Sequence, residues 1–264
     1  MLIDKKRLQT SDRAKAKTIQ IGPEPHQAAL VVDDFFEDPH YVRSLALSLD
    51  YHDVRGTYPG YEARLSLNTD EILSRCRRLA DPELAMVARY RNHFLFSLMD
   101  ERVDPKLRHY PHPHVDNVGE GVACLAGMVY LNLPEQCRGG TGFYRHRETG
   151  IIEDRGEISA GLADYMVKHG LSTVREAINH IIHVSPEQEA AMMSAPEEWG
   201  YLCESNAEWE LLEMVEMRFN RLVIFDSYLF HHPYVMSGHF GHSQETRRLT
   251  QTFFLEMAGS PAPG

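Results

Sequence analysis

Cysteine is scarce in this chain, and long apolar runs and excess positive charge are absent. Only four cysteines occur in 264 residues, and the wide separation of Cys76, Cys124, Cys137 and Cys203 excludes a CxxC zinc site and a compact disulfide framework. No run reaches the ~18 apolar residues that a membrane-spanning helix needs. Lysine and arginine total 27 against 38 aspartates and glutamates. This balance argues against a nucleic-acid partner and against an anionic membrane surface.

What remains is the composition of an ordinary globular protein. Hydrophobic residues make up 43% of the chain and charged residues 25%, which excludes a disordered or fibrous protein. The first residues are polar and lack the apolar core of a secretory signal, so we expect a cytoplasmic protein with reduced thiols. Without a repeat or a low-complexity linker, the sequence predicts a single domain over residues 1–264, partly flexible at 1–27.

Hydrophobic periodicity divides the rest of the chain into two parts. In residues 28–105 the pattern predicts a strand, a helix after Asp38-Pro39, a second helix capped by Thr69, and a strand at 88–100. Residues 106–256 have the texture of strands, interrupted at 150–215 by helical segments. The pattern predicts an α+β, mainly β fold of the jelly-roll or barrel kind. We expect the insertion and the 232–246 loop to carry specificity.

Two ligand-type side chains lie two positions apart in "HPHVDN" at 112–117. In a strand, His114 and Asp116 would share one face and supply two ligands of a 2-His-1-carboxylate metal site. The third ligand must come from another strand, and "FDSYLFHHPY" offers His231 and His232. His112 shares the face of His114, but a His-Pro-His turn is more often exposed to solvent.

Further along the chain, "RRLTQTFFLE" combines an arginine and hydroxyls on one strand face. Arg248 shares that face with Thr250 and Thr252, whereas Arg247 shares the other with Leu249. A buried guanidinium beside a hydroxyl suits a carboxylate, because its planar fork donates two parallel hydrogen bonds. The order HxD, His, Arg therefore predicts a metal pocket with a carboxylate-binding arginine.

These pieces make residues 107–256 resemble the iron(II)/2-oxoglutarate-dependent dioxygenases, especially their prolyl-hydroxylase-like branch. The matching segments are "HVDN" (114–117), "VYLNLP" (129–134), "GGTGFY" (139–144), "NRLVIFDSYLFH" (220–231) and "RRLT" (247–250). The resemblance implies a double-stranded β-helix (jelly roll) over 106–256, with supporting helices in 28–105 and the helical insertion at 150–215. By the same resemblance, His114, Asp116 and His231 would bind Fe(II), and His232 would face the opposite side.

The resemblance also implies a site for 2-oxoglutarate, the co-substrate. Arg248 and Thr250 would bind its far carboxylate, and Tyr130 would add a hydrogen bond. Asn132 is a weaker candidate that either faces the pocket or caps a strand end. Arg248 follows His231 by 17 positions, more than is typical of the family, so the loop between them is enlarged. We prefer Arg248 to Arg247 because of the hydroxyls on its face.

The implied activity is hydroxylation of a C–H bond with O2, releasing succinate and CO2, on an amino acid, peptide or small metabolite. The carboxylate of Asp116 favours hydroxylation over halogenation, since related halogenases replace it with a small residue. We expect neither nucleic acid nor membrane as a partner, and a homodimer stays open. Two alternatives remain: a cupin-like metal-binding regulatory protein without oxygenase activity, and a metal dioxygenase independent of 2-oxoglutarate, in which Arg248 is structural.

Overall fold

Two antiparallel β-sheets form the centre of the protein. The computed structural model describes residues 3–53, 60–65, 87–99, 113–115, 124–195 and 200–257. The large sheet has the order β1-β2-β9-β6-β11-β5-β4-β3 and the small sheet the order β10-β7-β8. Numbered along the chain, the strands are β1 (Lys15–Gln20), β2 (Ala28–Asp33), β3 (His52–Asp53), β4 (Tyr61–Arg64), β5 (Val87–Met99), β6 (Cys124–Tyr130), β7 (Gly140–His146), β8 (Trp209–Glu216), β9 (Leu222–Asp226), β10 (His231–Tyr234) and β11 (Arg248–Met257).

Helix α1 (Pro39–Leu47) covers the outer side of the large sheet. Its first turn is stabilised by Asp38, whose carboxylate accepts a hydrogen bond from the Tyr41 amide at 3.1 Å. Val42 and Leu45 point from the helix into an apolar core that includes residues of β5, β9 and β11. Burying side chains of this size contributes about 1.5–3 kcal/mol each, so this core fixes the helix on the sheet.

A second core fills the space between the two sheets. Tyr130 of β6 and Phe225 of β9 meet Phe143 of β7 and Val215 of β8 there, and all four side chains are buried. The rings of Phe143 and Phe225 pack edge to face with centroids 5.1 Å apart. This core determines which side chains of each strand face the intersheet space.

Three consecutive helices follow β7: α2 (Ala160–His169), α3 (Val174–Ile182) and α4 (Pro186–Ser194). Each begins after a Ser or Thr whose hydroxyl accepts a backbone N–H: Ser159, Thr173 and Ser185. Leu162 of α2 and Ile178 of α3 pack against Tyr144 and Trp209, on the outer side of the small sheet. The inserted helices therefore lie on the sheet face turned away from the intersheet space.

The predicted α+β, mainly β architecture is confirmed, and both sheets are antiparallel. The helix after Asp38 and the helical character of the insertion are confirmed as well. The insertion ends earlier than the predicted residue 215, because 209–216 form β8, which pairs along β7. Residues 15–20, inside the segment expected to be partly flexible, form β1 and pair with β2. The predicted helix at Thr69 lies outside the described residues. Among the described residues, no helix combines the length and hydropathy needed to cross a bilayer.

Candidate metal and carboxylate site

His114 and His231 lie directly opposite each other beside the small sheet. Their backbones exchange two hydrogen bonds, 3.0 Å from the His114 N–H to the His231 carbonyl and 2.9 Å in the reverse direction. Side chains of such an antiparallel pair share a face, and the two imidazole centroids are 4.5 Å apart. Both residues are buried. The structure thus brings together two of the three predicted metal ligands.

The imidazole of His231 faces the intersheet space. Its cross-strand partner in β7 is Phe143, a member of the core between the sheets, and its ring lies 4.7 Å from that of Phe225. The Nδ1–H of His231 donates to the Leu229 carbonyl at 2.8 Å. In the neutral imidazole this arrangement puts the lone pair on Nε2, the ring nitrogen through which this histidine would bind a metal.

His232 points to the other side of β10, as predicted. It is fully buried, and its ring centroid lies 5.4 Å from that of Tyr201, 6.2 Å from that of His114 and 6.4 Å from that of Tyr144. The third predicted ligand, Asp116, and the predicted bystander His112 both lie outside the described residues. Within the described residues, no group of three or more His, Cys, Asp or Glu side chains is arranged to hold a metal ion.

Arg248 begins β11 and carries a buried guanidinium on the intersheet side of the large sheet. The residue is 3% exposed, its Cζ lies 5.4 Å from the centre of the Tyr130 ring, and one terminal nitrogen lies 3.8 Å from the Met128 sulfur. Its Nε–H has no hydrogen-bond partner among the described residues, nor does any carboxylate of these residues form an ion pair with it. A buried cation in these surroundings is costly unless an anion binds to it.

A row of hydroxyl groups crosses three strands beside this guanidinium. Thr250 lies directly opposite Tyr130 on one side and Ser97 on the other, so the three side chains share the intersheet face. The Oγ atoms of Thr250 and Ser97 are buried and have no hydrogen-bond partner in the part of the chain that the structure describes. The row therefore offers donors and acceptors next to a positive charge.

Tyr130 connects this row to the small sheet. Its hydroxyl is 2.7 Å from the Thr141 hydroxyl of β7. Burial raises the pKa of Tyr130, an effect that the positive charge of Arg248 and the hydrogen bonds with Thr141 and Arg248 oppose. The phenol therefore stays protonated at neutral pH and can donate a hydrogen bond to an anion near Arg248.

Asn132 lies beside Arg248, but its amide is used by the backbone. The amide nitrogen donates to the Arg247 carbonyl at 2.8 Å, and the amide oxygen accepts from the Leu249 N–H at 2.7 Å. Of the two roles left open for Asn132, its described contacts are those of a strand-end cap. Arg247 lies on the opposite side of β11 from Arg248, with its guanidinium 4.7 Å from the centre of the Tyr61 ring.

The enlarged loop between His231 and Arg248 is held against the rest of the protein. The carbonyl of Glu245 accepts hydrogen bonds from Arg43 of α1 at 2.9 Å and from Gln136 at 3.2 Å. The side chain of Gln244 donates to the Leu47 carbonyl at 2.8 Å. These contacts give the residues before Arg248 a defined path in spite of the length of the loop.

Sequence reasoning missed two residues of this site, Ser97 and Thr141. Both are small hydroxyl residues in strands. Which residues such a side chain meets depends on the register in which its strand pairs with its neighbours. The "GGTGFY" match included Thr141, but its contact with Tyr130 depends on how the two sheets face each other. Ser97 lies in "FLFSLM", where a polar residue between apolar neighbours was the available signal.

The fold and the site together define an antiparallel β protein with a buried pair of histidines and a buried arginine facing the space between its sheets. The chain belongs to DUF6445, a family of unknown function, whose model matches residues 12–169 and 166–255. No curated protein matches the chain.

Proposed function

We propose that the protein is an Fe(II)- and 2-oxoglutarate-dependent oxygenase that hydroxylates a C–H bond of an amino acid, peptide or small metabolite. The proposal depends above all on Arg248, a buried guanidinium whose Nε–H has no partner among the described residues and which faces the same intersheet space as His231. A dicarboxylate co-substrate bound between the sheets would give this cation its missing anion.

We also propose that the fold is a jelly roll of the double-stranded β-helix type. From β5 onward the chain alternates between the sheets: β5 in the large sheet, the His114 bridge beside the small one, β6 in the large, β7 and β8 in the small, β9 in the large, β10 in the small and β11 in the large. Such alternation is typical of jelly rolls, in which two antiparallel sheets enclose the site.

The residues present fit the proposed groups. His114 and His231, together with Asp116, would hold Fe(II), and the bond from His231 Nδ1 to the Leu229 carbonyl orients one of these imidazoles. When bound, Fe(II) with 2-oxoglutarate and O2 supplies oxidation of a C–H bond to C–OH, with succinate and CO2 as the other products.

The chain's own residues would bind and orient the co-substrate. Arg248 would donate two parallel hydrogen bonds to the far carboxylate of 2-oxoglutarate, and Thr250 and Tyr130 would add hydroxyl hydrogen bonds on the same face. Phe143 and Phe225 would exclude water from the space beside His231.

Anaerobic titration of the iron(II)-loaded protein with 2-oxoglutarate tests the proposal, followed by measurement of succinate formed after O2 is admitted. We expect saturable binding and slow succinate formation even without substrate. Arg248→Met should weaken 2-oxoglutarate binding by roughly tenfold or more, since it removes charge-assisted hydrogen bonds.

Arg247→Met is the matched control, because it removes an arginine at the neighbouring position from the opposite side of β11. It should leave 2-oxoglutarate binding within about twofold of the unmodified protein. If the iron-loaded protein neither binds 2-oxoglutarate nor forms succinate, the proposal is wrong. Metal binding without 2-oxoglutarate binding would instead favour the regulatory protein or the 2-oxoglutarate-independent dioxygenase.

A further inference from the structure

The side chain of Asn132 holds the backbone on both sides of Arg248. Its amide nitrogen binds the Arg247 carbonyl and its amide oxygen binds the Leu249 N–H, at 2.8 and 2.7 Å. Asn132 is fully buried. These two hydrogen bonds fix the peptide groups immediately before and after the residue that carries the intersheet cation.

This arrangement extends the sheet beyond the end of β6. The paired register of β6 and β11 runs as far as Tyr130 and Thr250, and the Leu131 N–H then donates to the Leu249 carbonyl at 3.0 Å. Opposite Arg248 the side chain of Asn132 supplies the hydrogen bonds. An apolar side chain there would leave a buried carbonyl and a buried N–H without partners.

We propose that Asn132 is a positioning residue that fixes the direction in which Arg248 presents its guanidinium to a carboxylate. The inference depends on the proposed function, in which Arg248 binds the far carboxylate of 2-oxoglutarate. A bidentate pair is sensitive to direction, because both N–H groups must align with both carboxylate oxygens. Asn132 holds the backbone on both sides of Arg248. Losing its amide would therefore shift the Cα from which the Arg248 side chain extends, and with it the direction of the guanidinium.

The preference for 2-oxoglutarate over 2-oxopentanoate measures this role directly. The second acid has the same 2-oxo acid group and the same carbon number but ends in a methyl group. Dissociation constants of both acids are measured anaerobically with the iron(II)-loaded protein. We expect the unmodified protein to prefer 2-oxoglutarate and Asn132→Ala to reduce that preference on the order of tenfold. Affinity for 2-oxopentanoate and for iron should change by less than about twofold.

Asn132→Asp provides a graded variant. Its carboxylate keeps an acceptor for the Leu249 N–H but has no donor for the Arg247 carbonyl. We expect its preference for 2-oxoglutarate to fall below that of the unmodified protein. If Asn132→Ala does not fold, the preference between the two acids is compared between Asn132→Asp and the unmodified protein.

Asn220→Gly is the matched control. The Asn220 side chain also makes two backbone hydrogen bonds, with the Phe36 N–H at 2.8 Å and the Phe36 carbonyl at 2.9 Å. Its φ of 63° is a conformation that glycine tolerates. This control should lower stability but leave the preference between the two acids unchanged.

The possible failures are distinguishable. If the unmodified protein does not prefer 2-oxoglutarate, the proposed function is wrong, and this inference falls with it. If the unmodified protein shows the preference and the folded Asn132 variants retain it in full, only the positioning role is overturned. An equal loss of preference in Asn220→Gly would also overturn it, because general destabilisation would then explain the effect.

Discussion

The two sides of the large sheet contain buried arginines in very different surroundings. On the outer side, Arg43 of α1 donates to the carbonyls of Leu131 and Glu245 at 2.8 and 2.9 Å and to the Gln136 side chain at 3.2 Å. On the intersheet side, Arg248 is equally buried, but its Nε–H has no partner within the described residues.

The difference separates an arginine whose hydrogen bonds stabilise the fold from one whose partner, in the proposed function, is a ligand. Arg43 joins a helix, a turn and the enlarged loop through its hydrogen bonds, so its charge is solvated by protein carbonyls. Arg221 belongs to the same class, because its guanidinium binds both oxygens of Asp33 at 2.6 and 2.9 Å. The described contacts of Arg248 are the ring and hydroxyl of Tyr130 and the Met128 sulfur, and a buried polar atom without a partner, such as its Nε–H, is typical of functional sites.

The largest expected effect extends the comparison to the two sides of β10. His231→Ala should reduce Fe(II) affinity by at least about 100-fold, because it removes an intersheet imidazole held by the Leu229 carbonyl. His232→Ala, on the side of the inserted helices, should change Fe(II) affinity by less than about threefold. Anaerobic iron titration of both variants checks this. A greater loss in His232→Ala would mean that His232, and not His231, is the metal ligand.

Stability measurements would test the contrast between the two arginines. Arg43→Met should lower the free energy of unfolding by about 2–4 kcal/mol, because buried carbonyls lose their donors. Arg248→Met should leave it unchanged or raise it, since a buried charge is replaced by an apolar side chain. Urea unfolding of both iron-free variants gives the two values. A large loss in Arg248→Met would mean that this guanidinium supports the fold as Arg43 does.

The smallest expected effect concerns pH. The hydrogen bond from Arg221 is the main cause that lowers the pKa of Asp33 below its usual 3.8. The folded state thus holds the ionised carboxylate more strongly than the unfolded state. The resulting stability is fully present above the unfolded pKa and is lost as pH falls through the lower, folded value. Asp33→Asn should therefore flatten the pH dependence of stability below about pH 4, measured by urea unfolding at several pH values. An unchanged slope would contradict the role assigned to the pair.

Much of the fold followed from the sequence because its signals are local. The helix start at Asp38-Pro39, the helical segments of the insertion and the alternation in β11 each involve residues close in the chain. Alternation also placed Arg248 and Thr250 on one face, which the structure turns towards the intersheet space. The role of that face remains a prediction.

The remaining features depend on contacts that sequence spacing does not encode. Asn132 continues a two-residue alternation from Tyr130, yet its side chain turns to the backbone of β11, because β6 ends at Tyr130. Ser97 joined the site only through its register with Thr250. The end of the insertion was misplaced because the alternation of β8 is irregular, and its pairing with β7 decided its structure.

The reciprocal backbone hydrogen bonds between His114 and His231 have a consequence for dynamics. A metal that binds both imidazoles does not need to bring two separate chain segments together, so the entropy of that encounter has already been lost during folding. Because each backbone holds the other, the two histidines also open together. A local opening that breaks the bridge separates both histidines at once, and the amide hydrogens of the two residues should then exchange with solvent at a common rate.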